Sequence, residues 1–213
     1  PWNVDRLIER EELTKECSVS CILQLRQHEE MRRLKKKYST TSKKIDVELE
    51  YITSRGNWYL ASWKNNIKKS GGLVTNIGIH FFDMLHFVFG DIQENIIHAH
   101  NETMAAGYIE YENARVRWFL SMDYESIPVN IKEKGLRTYR SIKVNGDEFE
   151  FSDGFTDLHT VAYDKILNGM GYRVGDTMDA IKIVHDIRHS TFSKLSGDYH
   201  PFAKFPASPH PFK

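Results

Sequence analysis

Apolar residues recur along this chain at two different spacings, and the change from one to the other separates predicted helices from predicted strands. From Ser70 to Gly90 (SGGLVTNIGIHFFDMLHFVFG), Val74, Ile77, Phe81, Leu85 and Val88 fall at steps of three and four, which places them on one face of a helix. Gly90 suits the left-handed conformation that closes such a helix. A second face carries Asn76, His80 and Asp83 inside an otherwise apolar element. Buried polar groups cost stability unless they are partnered, so this line needs an explanation. One is a core histidine, with His80 held by Asp83 one turn later. The other is a site, in which Asn76 and His80 face a ligand and Asp83 fixes the imidazole from behind. His86 lies on a different side of the helix from His80, which argues against a metal ion shared between them.

Elsewhere the period is two. Lys44 to Ile52 (KIDVELEYI) alternates Ile45, Val47, Leu49 and Tyr51 against Asp46, Glu48 and Glu50, which predicts a half-buried strand. Glu94 to Asn101, Met104 to Tyr111, Ala114 to Tyr124, Thr138 to Asn145 and Asp147 to Ser152 also read as strands, with Glu112-Asn113 and Asn145-Gly146 as hairpin turns. In the long third one Val116, Trp118, Leu120, Met122 and Tyr124 share the face expected to pack on helices. Arg115, Arg117, Phe119, Ser121 and Asp123 share the other, a mixed face expected to meet another subunit or sheet. Leu158 to Leu167 and Thr177 to Phe192 predict two closing helices. The glycines from Gly169 to Gly175 between them echo a dinucleotide-binding loop but follow a helix, so they read as a helix-to-helix turn. The tail from Ser196, with Pro201, Pro206, Pro209 and Pro211, predicts an extended surface segment. At the other end, Val4, Leu7 and Ile8 with Asn3 as cap predict a helix, and Ser18 to Leu25 a short strand. That pair looks like the last unit of a parallel nucleotide-binding sheet.

Composition narrows the class without naming a chemistry. With 213 residues, 40% hydrophobic and 27% charged, the chain is of a globular type able to bury a sizeable core. Its formal net charge is zero, so no global field draws it to nucleic acid or a membrane. The first residues lack a signal-peptide pattern, and no apolar run reaches the ~18–20 residues of a membrane span. Cys17 and Cys21 are the only cysteines, which predicts no disulfide framework and a cytoplasmic location. Arg26 to Lys37 (RQHEEMRRLKKK) is dense in positive charge, but Glu29 and Glu30 precede the bases and no aromatics are interleaved, so a solvated helix is expected. Thr53 to Ser70 gathers Trp58, Tyr59 and Trp63 beside Arg55 and Lys64. Flat apolar faces and cations suit a sugar nucleotide; tryptophans that merely pin a loop to the core suit the residues as well.

The helix segment GGLVTNIGIHFFDMLHFVFG resembles the one that carries the active-site histidine in the second domain of the Gfo/Idh/MocA oxidoreductases. Many members have Asp where this chain has Asn76. The Asn-Ile-Gly-Ile-His form is similar to the branch of UDP-N-acetylglucosamine (or uronate) 3-dehydrogenases of the WbpB/WlbA type. Pro1-Trp2-Asn3, Leu23-Gln24-Leu25-Arg26, ITSRGNWYLASWK (Ile52 to Lys64), ARVRWFLSMD (Ala114 to Asp123), RTYRSI (Arg137 to Ile142) and FTDLHT (Phe155 to Thr160) agree with it.

The resemblance implies an α+β fold: a mainly antiparallel open sheet with helices on one face, preceded by the last helix and strand of a Rossmann domain. Residues 1–26 would be that remnant and 27–213 the substrate-binding and oligomerisation domain. The implied enzyme oxidises the C3 hydroxyl of a UDP-N-acetylhexosamine or its uronate with NAD, the NAD held by an N-terminal domain and not by this chain. His80 would be the base, Asn76 would orient the sugar and Asp83 would hold His80. Gln24, Arg26, Arg55, Trp63, Lys64, Thr75 and His159 would contact substrate. No metal is expected, and a homo-oligomer is expected through the sheet face. Relatives carry a Glu-Lys-Pro motif with a catalytic lysine just before the position of Pro1. The rival reading, from another class, is a non-catalytic sugar-nucleotide-binding or oligomerisation module.

Overall fold

The computed structural model describes residues 4–14, 18–41, 43–149 and 157–205. Its elements run α1 (Val4–Leu13), β1 (Ser20–Cys21), α2 (Glu29–Tyr38), β2 (Ile45–Thr53), α3 (Asn57–Ala61), α4 (Ile67–Ser70), α5 (Ile79–Phe89), β3 (Ile92–His100), β4 (Met104–Tyr111), β5 (Ala114–Ser121), α6 (Val129–Lys132), β6 (Thr138–Val144), β7 (Asp147–Phe149), α7 (Leu158–Leu167), β8 (Tyr172–Arg173) and α8 (Met178–His189). Six strands form one sheet in the order β3-β4-β5-β2-β6-β7, and only the β2–β5 pair is parallel. The register sets Val47, Leu49 and Tyr51 beside Val116, Trp118 and Leu120, so the apolar alternation of two strands becomes one continuous face. On that face lie α2, α5 and α8, and the main core forms between them and the sheet. Asn145 and Gly146 turn β6 into β7 with φ of 53° and 88°, the left-handed pair that a tight hairpin requires.

Several elements differ from their expected extent, each for a local reason. The predicted strand from Ser18 shrinks to Ser20–Cys21 and pairs antiparallel with β8, not in a parallel sheet, because Gln24–Gln27 coils into a 3-10 turn. The helix expected from Arg26 starts at Glu29, where the Nδ1 atom of His28 accepts from the backbone N–H of Glu30. β5 stops at Ser121, since Asp123 caps a 3-10 turn at Tyr124–Ser126. The positive side chains of α2 are not all in water: Arg32 donates to the carbonyl of Arg26, and Lys35 sits 3.9 Å above the Phe87 ring. The ends of the strand expected to Ser152, the cap Asn3, Cys17 and the motif residues Phe155 and Thr156 lie outside the described residues. The stretch 67–89 is long and apolar enough to cross a membrane, contrary to the count of apolar runs, yet most of it is buried as the core helix.

The outer face of the sheet holds the largest departure. Glu50, expected on a solvated side, is buried, and so is Phe119. Both lie beneath the chain's own residues 198–205, whose Phe202 and Ala203 complete a second apolar cluster with Ile52, Met104, Ala106, Phe119 and Ile127. Phe119, on the face expected to meet another subunit or sheet, is thus covered by the chain's own tail.

Candidate active site

The helix that carries the polar line is not continuous. Gly71, at φ 82°, closes α4, and residues 74–78 form a single π turn before α5 begins. An extra residue in a helical turn re-aims the side chains around it, and such turns concentrate at functional sites. Gly78 lies at the close approach of helix and sheet. A Cβ there would come within 2.8 Å of the Phe82 ring and 3.0 Å of Leu120.

Each residue of the polar line has a distinct environment. Asn76 donates from Nδ2 to the carbonyls of Lys64 (3.1 Å) and Gly72 (2.9 Å) and lies 3.0 Å from Ser70 Oγ. Two carbonyl acceptors fix which way the amide points, and a carboxylate in its place would face them unfavourably. The Asn of this chain therefore ties the loop bearing Trp63 and Lys64 to the π turn.

Asp83 does not hydrogen-bond His80. Its carboxylate is buried against Arg26, which donates Nη2–H at 2.7 Å and Nε–H at 3.0 and 3.2 Å. The same guanidinium donates to the carbonyl of Asp176 at 2.7 Å and lies over the rings of Tyr172 and Phe87. Arg26, expected among the substrate contacts, thus fastens the 3-10 turn at residues 24–27 to α5 and to the start of α8. Burial pushes the Asp83 carboxyl up, while Arg26, then His86 and His80, pull it back.

His80 is left at the edge of a pocket of about 230 Å³ lined by Cys21, Leu23, Gln24, Ile79, Asp83 and Thr177. The residue is exposed, and its Nδ1 lies 3.4 Å from Nε2 of Gln24. The surrounding protein lowers its pKa below 6.5; the Asp83 charge opposes that shift and His159 adds to it. Residues far apart in sequence, Gln24, His80, Asp83 and His159, are thereby brought together.

The remaining expected contacts occupy other ground. Thr75 lines an apolar cleft of about 330 Å³ with Ile79, Met178, Lys182 and Arg188. Arg55 lines a polar cleft of about 320 Å³ with Gly56, Asn57, Tyr59 and Arg137. Trp63 and Lys64 stand exposed on the 3-10 turn at residues 63–65. Arg137 is a candidate that sequence reasoning left without a role. The β2–β6 register, which pairs Thr53 with Thr138 and sets the Ser54 N–H on the Arg137 carbonyl, brings it beside Arg55, and nothing in the local pattern announces that register.

A dinucleotide needs a glycine-rich turn between a strand and a helix for its pyrophosphate. Gly169 and Gly171 come before β8, not after it, and Gly169 closes the end of α7. That glycine cluster is therefore not in the strand-to-helix setting that holds a pyrophosphate.

A mostly antiparallel sheet backed by helices on one face is the architecture of an oxidoreductase C-terminal alpha/beta domain. Residues 43–148 match the family model described as the C-terminal alpha/beta domain of the Gfo/Idh/MocA oxidoreductases, and the chain belongs to that family. It is similar to the WlbA (WbpB) dehydrogenase of Thermus thermophilus, whose crystal structure holds NAD and UDP-GlcNAcA. The match has 45% identity and a TM-score of 0.88 over 95% of this chain. The same dehydrogenase with NAD and alpha-ketoglutarate matches at 46% identity and a TM-score of 0.89, again over 95% of this chain. This chain spans 65% of the length of those relatives. The WlbA dehydrogenase of Bordetella pertussis, in complex with NADH and UDP-GlcNAcA, shares the fold at 15% identity and a TM-score of 0.63, over 85% of this chain and 64% of that one.

Proposed function

We propose that this chain is the substrate half of an NAD-dependent dehydrogenase that oxidises the C3 hydroxyl of a UDP-N-acetylhexosamine or its uronate. The observation that carries the reading is His80: an exposed imidazole, its pKa lowered so that it is neutral near pH 7, in a pocket built from three distant parts of the chain. The likeness to a Thermus dehydrogenase crystallised with UDP-GlcNAcA supports the substrate class.

The residues divide the work as follows. Gln24 Nε2 lies 3.4 Å from Nδ1 of His80, and the tautomer with its proton on Nδ1 keeps the lone pair on Nε2. That nitrogen takes the proton of the sugar hydroxyl, which is general-base catalysis. Arg26 and Asp83 act as positioning residues, since they lock the two segments that bear Gln24 and His80. Asn76 positions the loop whose Trp63 and Lys64 reach toward substrate, and Arg55 with Arg137 offers two cations to a diphosphate. Thr75 lines the neighbouring cleft that shares Ile79 with the His80 pocket, and His159 is near enough to His80 to lower its pKa. NAD, held by a dinucleotide-binding domain to which residues 1–26 belong, supplies the hydride acceptor when bound.

The test is His80→Asn in an enzyme that includes the dinucleotide-binding domain. Turnover should fall by about 100-fold or more, the usual cost of losing a general base, with the fold retained by circular dichroism. Equal turnover in variant and parent removes the catalytic role.

A further inference from the structure

The loop that carries Trp63 and Lys64 is held by a serine hydroxyl at each end. At the first, Ser62 Oγ accepts from the backbone N–H of Lys64 at 3.2 Å and donates to the carbonyl of Tyr59 at 2.8 Å. At the second, the Ser70 hydroxyl donates to the carbonyl of Lys64, with the carbonyl of Asn66 at 3.2 Å as a second acceptor for the same proton. It accepts in turn from the backbone N–H of Gly72 and from Nδ2 of Asn76, both at 3.0 Å. Asn76 Nδ2 also reaches the Lys64 carbonyl at 3.1 Å, so Ser70, Lys64 and Asn76 close a ring of hydrogen bonds.

A hydroxyl has one proton to give and two lone pairs with which to accept. All are used within the protein, so Ser70 has nothing left for a ligand and any effect it has runs through what it holds. What it holds lies across a break in the helix. Gly71 and Gly72 are left-handed, at φ 82° and 74°, and the chain turns out of regular helix between α4 and the π turn. Side chains make the connection there: Thr75 Oγ1 donates to the Gly71 carbonyl at 3.1 Å, and Ser70 joins the loop to Asn76 of the π turn. The Lys64 peptide is thereby fixed at both its N–H and its carbonyl, while the Lys64 and Trp63 side chains stand exposed.

We propose that Ser70 is a positioning residue for sugar-nucleotide binding: its hydroxyl orders the loop at residues 62–66 in advance, so that Trp63 and Lys64 meet the ligand already in place. This rests on the substrate reading given above and adds to it a residue that no substrate atom touches. A loop ordered beforehand relieves binding of the entropy of ordering it. That gain is the same in the ground state and in the transition state, so Ser70 sets KM and leaves kcat unchanged.

Ser70→Ala and Ser70→Thr test it by two measurements. In the 213-residue chain, hydrogen exchange over residues 64–72 should quicken by about tenfold in Ser70→Ala and return to the parent rate in Ser70→Thr, which keeps the hydroxyl. In an enzyme that includes the dinucleotide-binding domain, KM for UDP-N-acetylglucosaminuronate should rise by about tenfold in Ser70→Ala, with kcat within about twofold of the parent, and Ser70→Thr should restore it. KM for NAD should not move. Unchanged exchange in Ser70→Ala means that the hydroxyl holds nothing and overturns the proposal whatever the ligand. Exchange that quickens while KM stays put, or while kcat falls with kcat/KM, makes Ser70 structural only and overturns it as well. Failure of the substrate reading shows separately, in the parent: an enzyme that does not turn over the sugar nucleotide removes that reading and this proposal with it.

Discussion

Arg26, expected to contact substrate, and Asp83, expected to hold His80, pair with each other. Both are buried, and the guanidinium meets the carboxylate through two of its nitrogens. Removing one partner leaves the other charge in the core without compensation, which costs about 3–5 kcal/mol. Asp83→Ala should therefore lower the unfolding free energy measured in urea by that amount, and a loss below about 1 kcal/mol would assign the pair to a solvated setting. At this scale the sequence identified His80 and Asp83 as partners of something but mistook the partner. The i, i+3 spacing places Asp83 near His80, whereas Arg26 arrives from 57 residues away, a contact that no local pattern encodes. Asn76 is similar: its amide is spent on carbonyls of its own loop, and those acceptors belong to backbone whose path is not written in side-chain types.

Among the elements, the period-two strands and the closing helices were readable because burial on one face imposes the pattern directly. The π turn at residues 74–78 was not, since it changes the backbone without disturbing the apolar spacing enough to be seen. Nor was the fate of Glu50, which alternates as a solvated residue should and is buried only because the tail returns over it. The segment 198–205 has a pH signature of its own. Burial pushes the Glu50 carboxyl up, but His200, Lys143 and Tyr139 outweigh burial and hold its pKa below the ordinary 4.5. A carboxylate with a depressed pKa contributes stability that is fully present above 4.5 and is lost as pH falls through its lower folded value. Hydrogen exchange at residues 198–205 should thus quicken on acidification below 4.5 in the parent, and Glu50→Gln should remove that step. An unchanged acid step in the variant would place the titrating group elsewhere.

For the molecule as a whole, the sheet and its helices form a platform, and the residues proposed to contact a sugar nucleotide are spread over separate clefts, not gathered in one. That spread suits an extended ligand with a sugar at His80 and charged groups farther off. It does not suit a dinucleotide, because the glycines at 169 and 171 are on the wrong side of β8 to cradle a pyrophosphate. The family resemblance visible in ITSRGNWYLASWK and NIGIHFFDML agrees with the match to the oxidoreductase C-terminal domain over residues 43–148. Calorimetric titration of this 213-residue chain with UDP-N-acetylglucosaminuronate, with NAD, and of its His80→Asn variant with the sugar nucleotide tests the central claim most directly. The sugar nucleotide should bind the parent with a measurable heat, bind more weakly after His80→Asn, and find no counterpart in NAD. Micromolar affinity for NAD, or sugar-nucleotide binding that ignores His80, would contradict the account.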